Sequence, residues 1–299
     1  MKILTIIVSY NGEHFIKGCI SHLNNSSVLS DILIIDNFST DHTIKIIEKL
    51  IEDNPNLISY KNQSNIGFGQ ACNLGLKYAL DKEYDYVLLL NQDVYVDKNT
   101  ISLLLDCMKA NHNYGVISPM HLDGTKINLD KRFAQYYQRT ILKNQTENMS
   151  LLNTEFVNAA IWLLSKNCIE TVGGFNPCYF HYGEDDNYLE RVKYHNLKIG
   201  ILTTALAVHD REETDNYFKN RELEGFKKYL TSIFSNPNVK NSISFLFIKV
   251  SIKLILSIFT LNRLKINTNL CFLKSFFKLD YKEIHKNRKI SMQKGPSFL

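Results

Sequence analysis

The sequence predicts an α/β fold in which a mostly parallel central sheet is flanked by helices, followed by a helical C-terminal appendage. Three observations support this prediction. Strand-like and helix-like segments alternate through the first half of the chain, which is typical of a parallel sheet. Residues 86–90 form an unbroken apolar run that fits a strand buried on both faces. The last 60 residues are strongly basic, whereas the rest of the chain is mildly acidic.

The first strand is expected at residues 2–9, and the next helix has Phe15, Cys19 and Leu23 at helical spacing. Further strands are expected at 31–36, 57–61, 85–90, 115–118, 156–164, 199–202 and 205–208. Further helices are expected at about 42–51, 67–80, 99–109 and 187–194. Residues 121–154 lose this periodicity, so we expect an irregular segment and a candidate lid or acceptor wall there.

Length and composition restrict the class of protein. A chain of 299 residues, 44% hydrophobic and 22% charged, can bury one substantial core plus an appendage, which excludes a disordered or fibrous protein. The six cysteines lie far apart without a Cys-x-x-Cys pair, which argues against a zinc site and favours free thiols in a reducing compartment. The N-terminus lacks a signal-peptide pattern and is interpreted as a strand, so a cytoplasmic location is expected.

The basic C-terminal part points to an anionic partner. Residues 240–299 hold 12 Lys and Arg against 2 acids, whereas the other 239 residues hold 23 against 28. Such asymmetry is typical of nucleic-acid or membrane binding. Within this part, residues 242–261 contain 13 apolar residues in 20 but are interrupted by Lys249 and Lys253. This pattern favours an in-plane amphipathic helix over a membrane-spanning one, and a helix packed on the body or a dimer arm remains the alternative.

Three clusters of residues carry possible chemistry. Ser9, Asn11, Asp36 and Asp93 follow successive strands and would form a polar crevice at one sheet edge, unless they only cap turns. Residues 65–75 are glycine-rich at a helix start, although Cys72 occupies the third position of a dinucleotide fingerprint.

The third cluster is a group of acids that opens a helix at Glu184, Asp185 and Asp186. The helix dipole by itself would make these carboxylates weaker bases. The apolar and aromatic residues 175–182 just before them would desolvate a carboxylate and restore its basicity. The alternative is ordinary stabilisation of a helix N-terminus.

Five motifs together resemble one family. They are Ile-Ile-Val-Ser-Tyr-Asn at 6–11, Ile-Asp-Asn-x-Ser-x-Asp at 35–41, Asn-x-Gly-x-Gly-x-Ala-x-Asn-x-Gly at 65–75, Leu-Leu-Asn-x-Asp at 89–93, and Gly-Gly-Phe at 173–175 with Glu-Asp-x₅-Arg at 184–191. In this order they resemble the family 2 inverting glycosyltransferases of the GT-A fold, and most closely the rhamnosyltransferase and capsule or O-antigen branch. The resemblance covers residues 3 to about 210.

The resemblance implies a nucleotide-sugar site. Its nucleotide-binding residues would be Ser9, Tyr10, Asn11, Asp36, Asn65, Gly67, Asn73, Asn91 and Gln92. Asp36 would bond the imide edge of uracil or thymine, and Asn73 would help to shape the ribose and diphosphate side. Asp93 and His209 would hold Mg²⁺ or Mn²⁺ bridging the diphosphate.

The resemblance also implies the groups that carry out the reaction. Asp185, with Glu184 next in line, would be the general base for the acceptor hydroxyl. Arg191 would fix this helix or pair with the leaving phosphate, and Trp162 would support the site. Relatives often carry Asp where this chain has Asn91 and Asn187, which bears on metal affinity more than on the reaction class.

The resulting expectation is a metal-dependent, inverting glycosyltransferase of polysaccharide biosynthesis at the inner face of the cytoplasmic membrane. Its donor would be a UDP- or dTDP-linked sugar and its acceptor a surface glycan or lipid-linked saccharide, with no nucleic acid as partner. The catalytic domain is expected at 1–215 (nucleotide-sugar half 1–118, acceptor half 119–215) and the basic helical region at 216–299. The alternatives are a sugar nucleotidyltransferase, although residues 9–13 lack its basic loop, or a non-catalytic basic membrane- or nucleic-acid-binding protein.

Overall fold

A computed structural model of the chain describes residues 1–144, 149–211, 222–240 and 243–299. The strands are β1 Ile3–Ser9, β2 Asp31–Asp36, β3 Leu57–Lys61, β4 Tyr86–Asn91, β5 Val94–Val96, β6 Tyr114–Leu122, β7 Leu151–Asn153, β8 Ile161–Ser165 and β9 Lys198–His209. The helices are α1 Ile16–Asn24, α2 Thr43–Asp53, α3 Phe68–Asp81, α4 Thr100–Ala110, α5 Lys131–Asn144, α6 Lys166–Val172, α7 Glu184–Tyr194, α8 Glu222–Ser235, α9 Ile243–Phe259, α10 Arg263–Phe276 and α11 Tyr281–Ser291. The predicted domain boundary at 215/216 lies outside the described residues.

Within those ranges the strands form one sheet of nine, in the order β3-β2-β1-β4-β8-β6-β9-β5, with β7 paired to β9. The half of the sheet that the N-terminal strands form is parallel, because β1 pairs in parallel with both β2 and β4. Beyond β4 the direction changes, since β8 is antiparallel to β4 and to β6. The carboxyl ends of β1, β2 and β4 therefore meet at one edge.

Both faces of this sheet are buried, as the apolar run in β4 predicts. Alternate residues of β1 face opposite sides, with Leu4 and Ile6 in one apolar cluster and Ile3 and Ile7 in another. The first cluster is covered by α3, α6 and α7, and the second by α1, α2 and α4. A central strand buried on both sides can tolerate polar residues only after it ends, which directs Asn91, Gln92 and Asp93 to the sheet edge.

Several parts of the fold differ from the expectation. Residues 121–154 are not irregular, because their described part contains α5 and β7. Phe133, Tyr136, Tyr137 and Thr140 lie at helical spacing in α5, and the Phe133 ring is fully buried. In addition, β9 is one strand of twelve residues where two short strands were predicted, and β6 continues through Pro119 at a register shift. A proline is accommodated at such an irregularity because its missing N–H is not needed there.

The last four helices form their own apolar cluster. Leu230 and Phe234 of α8 pack with Val250 of α9, Phe276 of α10 and Ile284 of α11. Side chains also attach this bundle to the body, since the Ser235 hydroxyl lies 2.8 Å from the Tyr179 hydroxyl and accepts from the Asn187 amide at 3.1 Å. No helix in the part of the chain that the structure describes combines the length and apolar content needed to cross a membrane. The six cysteines are free, as predicted.

Candidate active site

A cavity of about 720 Å³ opens at the edge where β1, β2 and β4 end. Parallel register sets this meeting point, because Ser9 is opposite Asp36 and Val8 is opposite Asn91. The predicted site residues in its wall are Tyr10, Asn65, Gly67, Asn91, Gln92 and Asp93. Its other side is formed by residues 178–182 and by α8. A polar crevice at the carboxyl ends of parallel strands is where nucleotide ligands bind in open α/β sheets.

Gln92 fixes the floor of this cavity. Its Oε1 accepts hydrogen bonds from the Ser9 hydroxyl at 2.9 Å and the Tyr10 N–H at 3.0 Å, and its Nε2 donates to the Tyr10 carbonyl at 3.1 Å. Ser9 is fully buried beneath the cavity, whereas the Tyr10 ring is exposed and available to stack on a base. Asn11 is not among the residues that line the cavity, and its Oδ1 accepts from the Thr40 N–H at 2.9 Å.

Asp36 is buried with one oxygen unpaired. Its Oδ2 accepts from the Ser39 N–H at 3.0 Å, while its Oδ1 has no hydrogen-bond partner among the described residues. An unpaired buried acceptor costs free energy unless a ligand satisfies it. An imide N–H is a donor of the required kind, so the Oδ1 atom fits the role implied for Asp36.

Asn37 is a site residue that the sequence reasoning missed. It lines the cavity, donates to the Asn65 Oδ1 at 2.9 Å, and accepts from the Asn62 amide at 3.0 Å and the Ile66 N–H at 3.1 Å. Its buried amide therefore holds the loop before α3 against the end of β2. Its position directly after Asp36 was the available signal.

Gly67 is required where the two sides of the cavity approach each other. Its φ of +84° is in the region that favours glycine, and a Cβ there would lie 2.2 Å from the Phe180 carbonyl oxygen. The glycine-rich start of α3 thus lets the backbone of residues 178–182 close the cavity. Sequence reasoning identified this aromatic segment but not the Lys227 and Lys228 side chains of α8 beside it.

Asp93 and His209 are brought together by strand pairing that is distant in sequence. Val94 of β5 is opposite His209 of β9, and the Asp210 N–H donates to the Asp93 carbonyl at 2.9 Å. The Asp93 Oδ2 and His209 Nε2 atoms are 3.5 Å apart. Burial alone would raise the pKa of Asp93, but the hydrogen bond from His209 and the charge of Arg211 contribute to lowering it overall. The carboxylate is therefore ionised at neutral pH.

This pair fits part of a divalent-cation site. Two ligand atoms 3.5 Å apart can bind one ion, because Mg²⁺ bonds its ligands at about 2.1 Å and takes its other ligands from water and phosphates. In the described ranges no cluster of three or more His, Cys, Asp and Glu side chains is present that could hold a metal. The site would therefore depend on oxygen atoms of the substrate for its remaining ligands.

Arg211 restrains the histidine from the other side. Its Nη2 lies 2.9 Å from the His209 Nδ1, and its Nε lies 3.0 Å from the Asp130 Oδ2. A guanidinium can only donate, so Nδ1 accepts and a neutral ring carries its proton on Nε2. Binding a cation through Nε2 would need that proton to move to Nδ1 and Arg211 to release the ring.

Asp185 lies in the first turn of α7, directly after the aromatic side of the cavity. Gly183 precedes the helix with φ of +94°, and the Asp185 Oδ1 accepts from the Asp186 N–H at 2.9 Å. Burial raises the pKa of Asp185, and nearby backbone N–H groups offset part of that increase. A half-buried carboxylate with a raised pKa is a stronger base than an exposed one, which suits proton removal from a hydroxyl.

Glu184 is turned away from this position. It lies against the start of α3, where a Cβ on Gly69 would be 3.5 Å from the Glu184 Cβ. It is buried, and its Oε2 has no partner among the described residues. Burial, followed by the charge of Asp185, raises the pKa of Glu184 to about 8, so at neutral pH this group is mostly protonated. These features favour Asp185 over Glu184 as the base.

We expect Glu184→Gln to raise thermal stability at high pH. The folded protein binds the Glu184 proton more tightly than the unfolded chain, in which the carboxyl has a pKa of 4.5. The contribution of this proton to the free energy of unfolding is therefore complete below pH 4.5 and is lost as pH rises through about 8. The melting temperature of Glu184→Gln should match that of the wild type at pH 5 and exceed it by several degrees at pH 9, on the order of 3 kcal/mol. Glu170→Gln, on the exposed side of α6, is the control, and equal melting temperatures for Glu184→Gln and the wild type at pH 9 would contradict the assignment.

Asn73, Trp162 and Arg191 pack around α7 and the segment before it, and they do not line the cavity. The assignment of Asn73 to the nucleotide is corrected, because its buried amide donates to the Phe175 carbonyl at 2.9 Å and accepts from the Phe175 N–H at 2.6 Å. Trp162 stacks on Phe175 with ring centroids 6.2 Å apart. Arg191 is fully buried and donates to the carbonyls of Val172 and Gly174. It therefore fixes α7 and does not face the cavity.

Several known proteins are similar to this chain in sequence. The family model "Glycosyl transferase family 2" matches residues 5–173. The low-salt glycan biosynthesis hexosyltransferase Agl10 of Haloferax volcanii is 24% identical over 223 residues, which cover 72% of this chain and 69% of that protein. The rhamnosyltransferase WbbL of Escherichia coli is 23% identical over 253 residues, which cover 77% of this chain and 90% of that protein.

A solved structure has a similar fold. The crystal structure of S. aureus TarS 1-349 in complex with UDP-GlcNAc superposes with a TM-score of 0.63 at 17% sequence identity. The match covers 98% of this chain and 84% of that chain, so it includes the C-terminal helices as well as the sheet.

Proposed function

The chain belongs to glycosyl transferase family 2 and has the predicted GT-A type fold, and from this premise we propose its donor, acceptor and mechanism. The donor is a UDP- or dTDP-linked sugar, and the acceptor is a hydroxyl of a growing surface glycan or of a lipid-linked saccharide. The transfer inverts the configuration of the sugar and is assisted by a divalent cation. The described TarS complex, which contains UDP-GlcNAc, supports a nucleotide sugar as the donor.

One arrangement carries this proposal. The cavity has Tyr10, Asn65, Gln92 and Asp93 on one side, and on the other the aromatic residues 178–182, which lead directly into Asp185. Asp185 is not itself among the lining residues, but it follows Tyr182 of this wall by three residues, in the first turn of α7. The Asp36 Oδ1 atom suits a uracil or thymine imide equally well, so it does not distinguish the two nucleotides.

In the proposed reaction the acceptor oxygen bonds to the anomeric carbon as the bond from that carbon to the diphosphate oxygen breaks. The proton of the acceptor hydroxyl passes to the Asp185 carboxylate, and the nucleoside diphosphate leaves with the bonding electron pair. Attack from the face opposite the leaving group inverts the anomeric centre. Asp93 and His209 would hold the cation, which supplies positive charge to stabilise the leaving diphosphate.

We expect nucleotide binding to raise the melting temperature in the presence of Mn²⁺. A ligand that binds only the folded state stabilises it by RT ln(1 + [L]/Kd), which is about 2.7 kcal/mol at a hundredfold excess over Kd. UDP or dTDP should therefore give a shift of a few degrees with Mn²⁺ and a smaller one with EDTA. Asp93→Asn should lose the metal-dependent part, whereas Asp97→Asn, which alters an exposed acid four residues further along, should keep it.

The same titration contains the result that would overturn the proposal. If neither nucleotide shifts the melting temperature of the folded wild type, with or without Mn²⁺, the cavity is not a nucleotide site. A shift that persists unchanged in Asp93→Asn would retain nucleotide binding but remove Asp93 as the metal ligand.

A further inference from the structure

The helix α9 exposes an apolar strip along most of its length. Taking 100° per residue, Ile248, Ile252, Ile255, Leu256 and Phe259 lie within about 100° of one another on the helix surface. Their exposed fractions run from 51% at Ile252 to 80% at Phe259, so the strip is covered by nothing in the described chain. Monomeric proteins rarely leave such a continuous apolar surface without a partner.

The opposite side of α9 is the side that packs into the protein core. Val250 and Ser257 are buried there, and Val250 belongs to the apolar cluster of the four C-terminal helices. The helix has thus already used one apolar face to fold. Leu261, in the turn to α10, and Leu264, in the first turn of α10, are 84% and 80% exposed and add further apolar surface near the end of α9.

Basic side chains border this strip. Lys249 and Lys253 are exposed on one flank of it, and Arg263, Lys265 and Lys274 are exposed on α10, the helix that packs on α9. No carboxylate occurs between Lys240 and Leu279, so these cations are not neutralised by acids of the same segment. An apolar strip with cations at its margin is complementary to a bilayer surface, where acyl chains lie beneath anionic phosphates.

We propose that α9 docks in the plane of an anionic lipid bilayer, with the strip at the boundary between headgroups and acyl chains. Lys249 and Lys253 then lie at the level of the lipid phosphates. A second copy of the chain is a poorer occupant, because a twofold contact through α9 would bring two sets of lysines together. The seventeen residues of α9 give a helix about 25 Å long, which lies along the surface and does not cross it.

The fold connects this surface to the cavity. α9 packs on α10, and α10 packs on α8 through Phe272, whose ring stacks on Phe226 with centroids 4.5 Å apart. Gly225 and Thr231 of α8 line the cavity. Docking through α9 would therefore hold the cavity two helices away from the lipid. The proposal does not depend on the glycosyl-transfer reaction and is tested without it.

The experiment uses the full chain with Phe259→Trp as a reporter. The single native tryptophan, Trp162, is fully buried in the body, so a change in emission on adding vesicles reports the new residue. With phosphatidylcholine vesicles containing phosphatidylglycerol we expect a blue shift and quenching by brominated acyl chains. With pure phosphatidylcholine we expect at least tenfold weaker binding, since each lysine near an anionic surface contributes about 1 kcal/mol.

Two variants in this background separate the apolar and charged contributions. Ile252→Asp combined with Ile255→Asp should abolish vesicle binding, and Lys249→Gln combined with Lys253→Gln should weaken it about tenfold or more and reduce its salt dependence. Ile127→Asp, at an exposed apolar residue of the body, is the matched control and should bind as the parent does. All these substitutions are at exposed positions, so circular dichroism should show the parental helix content.

Several results would overturn the proposal. One is the absence of binding to anionic vesicles by the folded parent. Another is binding that survives the double Asp substitution. A dimer in light scattering that dissociates in the double Asp variant, together with no vesicle binding, would assign the strip to a second copy of the chain.

Discussion

Asp185→Asn should lower the rate of glycosyl transfer by about 10²–10⁴-fold, because a positioned general base contributes that much. The substitution keeps the size of the side chain and the acceptor for the Asp186 N–H but removes the atom that takes the proton. Nucleotide binding should therefore stay within a few-fold of the wild type. The measurement is the release of nucleoside diphosphate with the donor whose nucleotide the thermal titration identifies, with a saccharide acceptor or water as the nucleophile.

Two neighbouring acids provide controls for this prediction. Asp186→Asn changes the next carboxylate of the same helical turn, which is more exposed than Asp185 although burial and the charge of Asp185 raise its pKa to about 7, and it should keep the rate within several-fold. Glu184→Gln changes a buried group that is mostly protonated at neutral pH and should keep it within about tenfold. If Asp185→Asn retains more than a tenth of the wild-type rate, or if Glu184→Gln is the variant that loses it, Asp185 is not the base.

The pH dependence gives a separate check. A base must be ionised, so the rate should rise with pH through the pKa of Asp185, which burial raises above its usual value of 3.8. The acidic limb of the profile should be present in the wild type and in Asp186→Asn. It should be absent from the residual activity of Asp185→Asn.

Local sequence patterns predicted the half of the sheet that begins the chain. β1, β2 and β4 are consecutive or nearly so, and each is a short apolar run whose end is marked by Ser9, Asp36 or Asn91. The cavity edge follows from these ends because parallel strands place their carboxyl ends together. The free cysteines and the helical C-terminal region were predictable for the same reason, since each depends on composition or on local spacing.

What the sequence did not predict depends on contacts between distant residues. The pairing of Val94 with His209 joins positions more than a hundred residues apart, and no local pattern indicates it. The helix α5 was missed because the aromatic residues Phe133, Tyr136 and Tyr137 stand in a segment rich in Lys, Arg and Gln, which hides their helical spacing. Asn73 was assigned to the nucleotide because it belongs to a glycine-rich motif, although its amide binds the backbone of Phe175 about a hundred residues away.

Arg191 shows how such distant contacts support the site. Its guanidinium donates to the carbonyls of Val172 and Gly174, lies over the Phe298 ring at 4.8 Å, and is fully buried. Burial lowers the pKa of Arg191 to about 10, and no carboxylate of the described residues is among the groups that shift it. One side chain thus joins the turn before the aromatic wall, the helix that carries Asp185, and the C-terminal segment.

Arg191→Ala should therefore destabilise the protein by about 3–5 kcal/mol, because it leaves buried carbonyls without donors and opens a cavity in the packing. Arg191→Lys should recover only part of this loss, since an ammonium cannot reproduce the forked guanidinium contacts. The measurement is the urea midpoint of unfolding, with Lys193→Ala as the control. Lys193 lies two residues further along α7 in a partly exposed ion pair with Glu190, and its loss should cost about 1 kcal/mol or less.

Arg191→Ala also distinguishes two roles of Arg191, which are to hold α7 in place and to contact the diphosphate. If Arg191 acts by holding the helix, Arg191→Ala at a temperature where it is folded should keep its Mn²⁺-dependent affinity for nucleotide while transfer falls, because the position of Asp185 becomes less well defined. Loss of nucleotide affinity with an unchanged urea midpoint would instead place the guanidinium at the leaving phosphate. Since Arg191 is fully buried, with its donors directed to backbone carbonyls, we expect the first result.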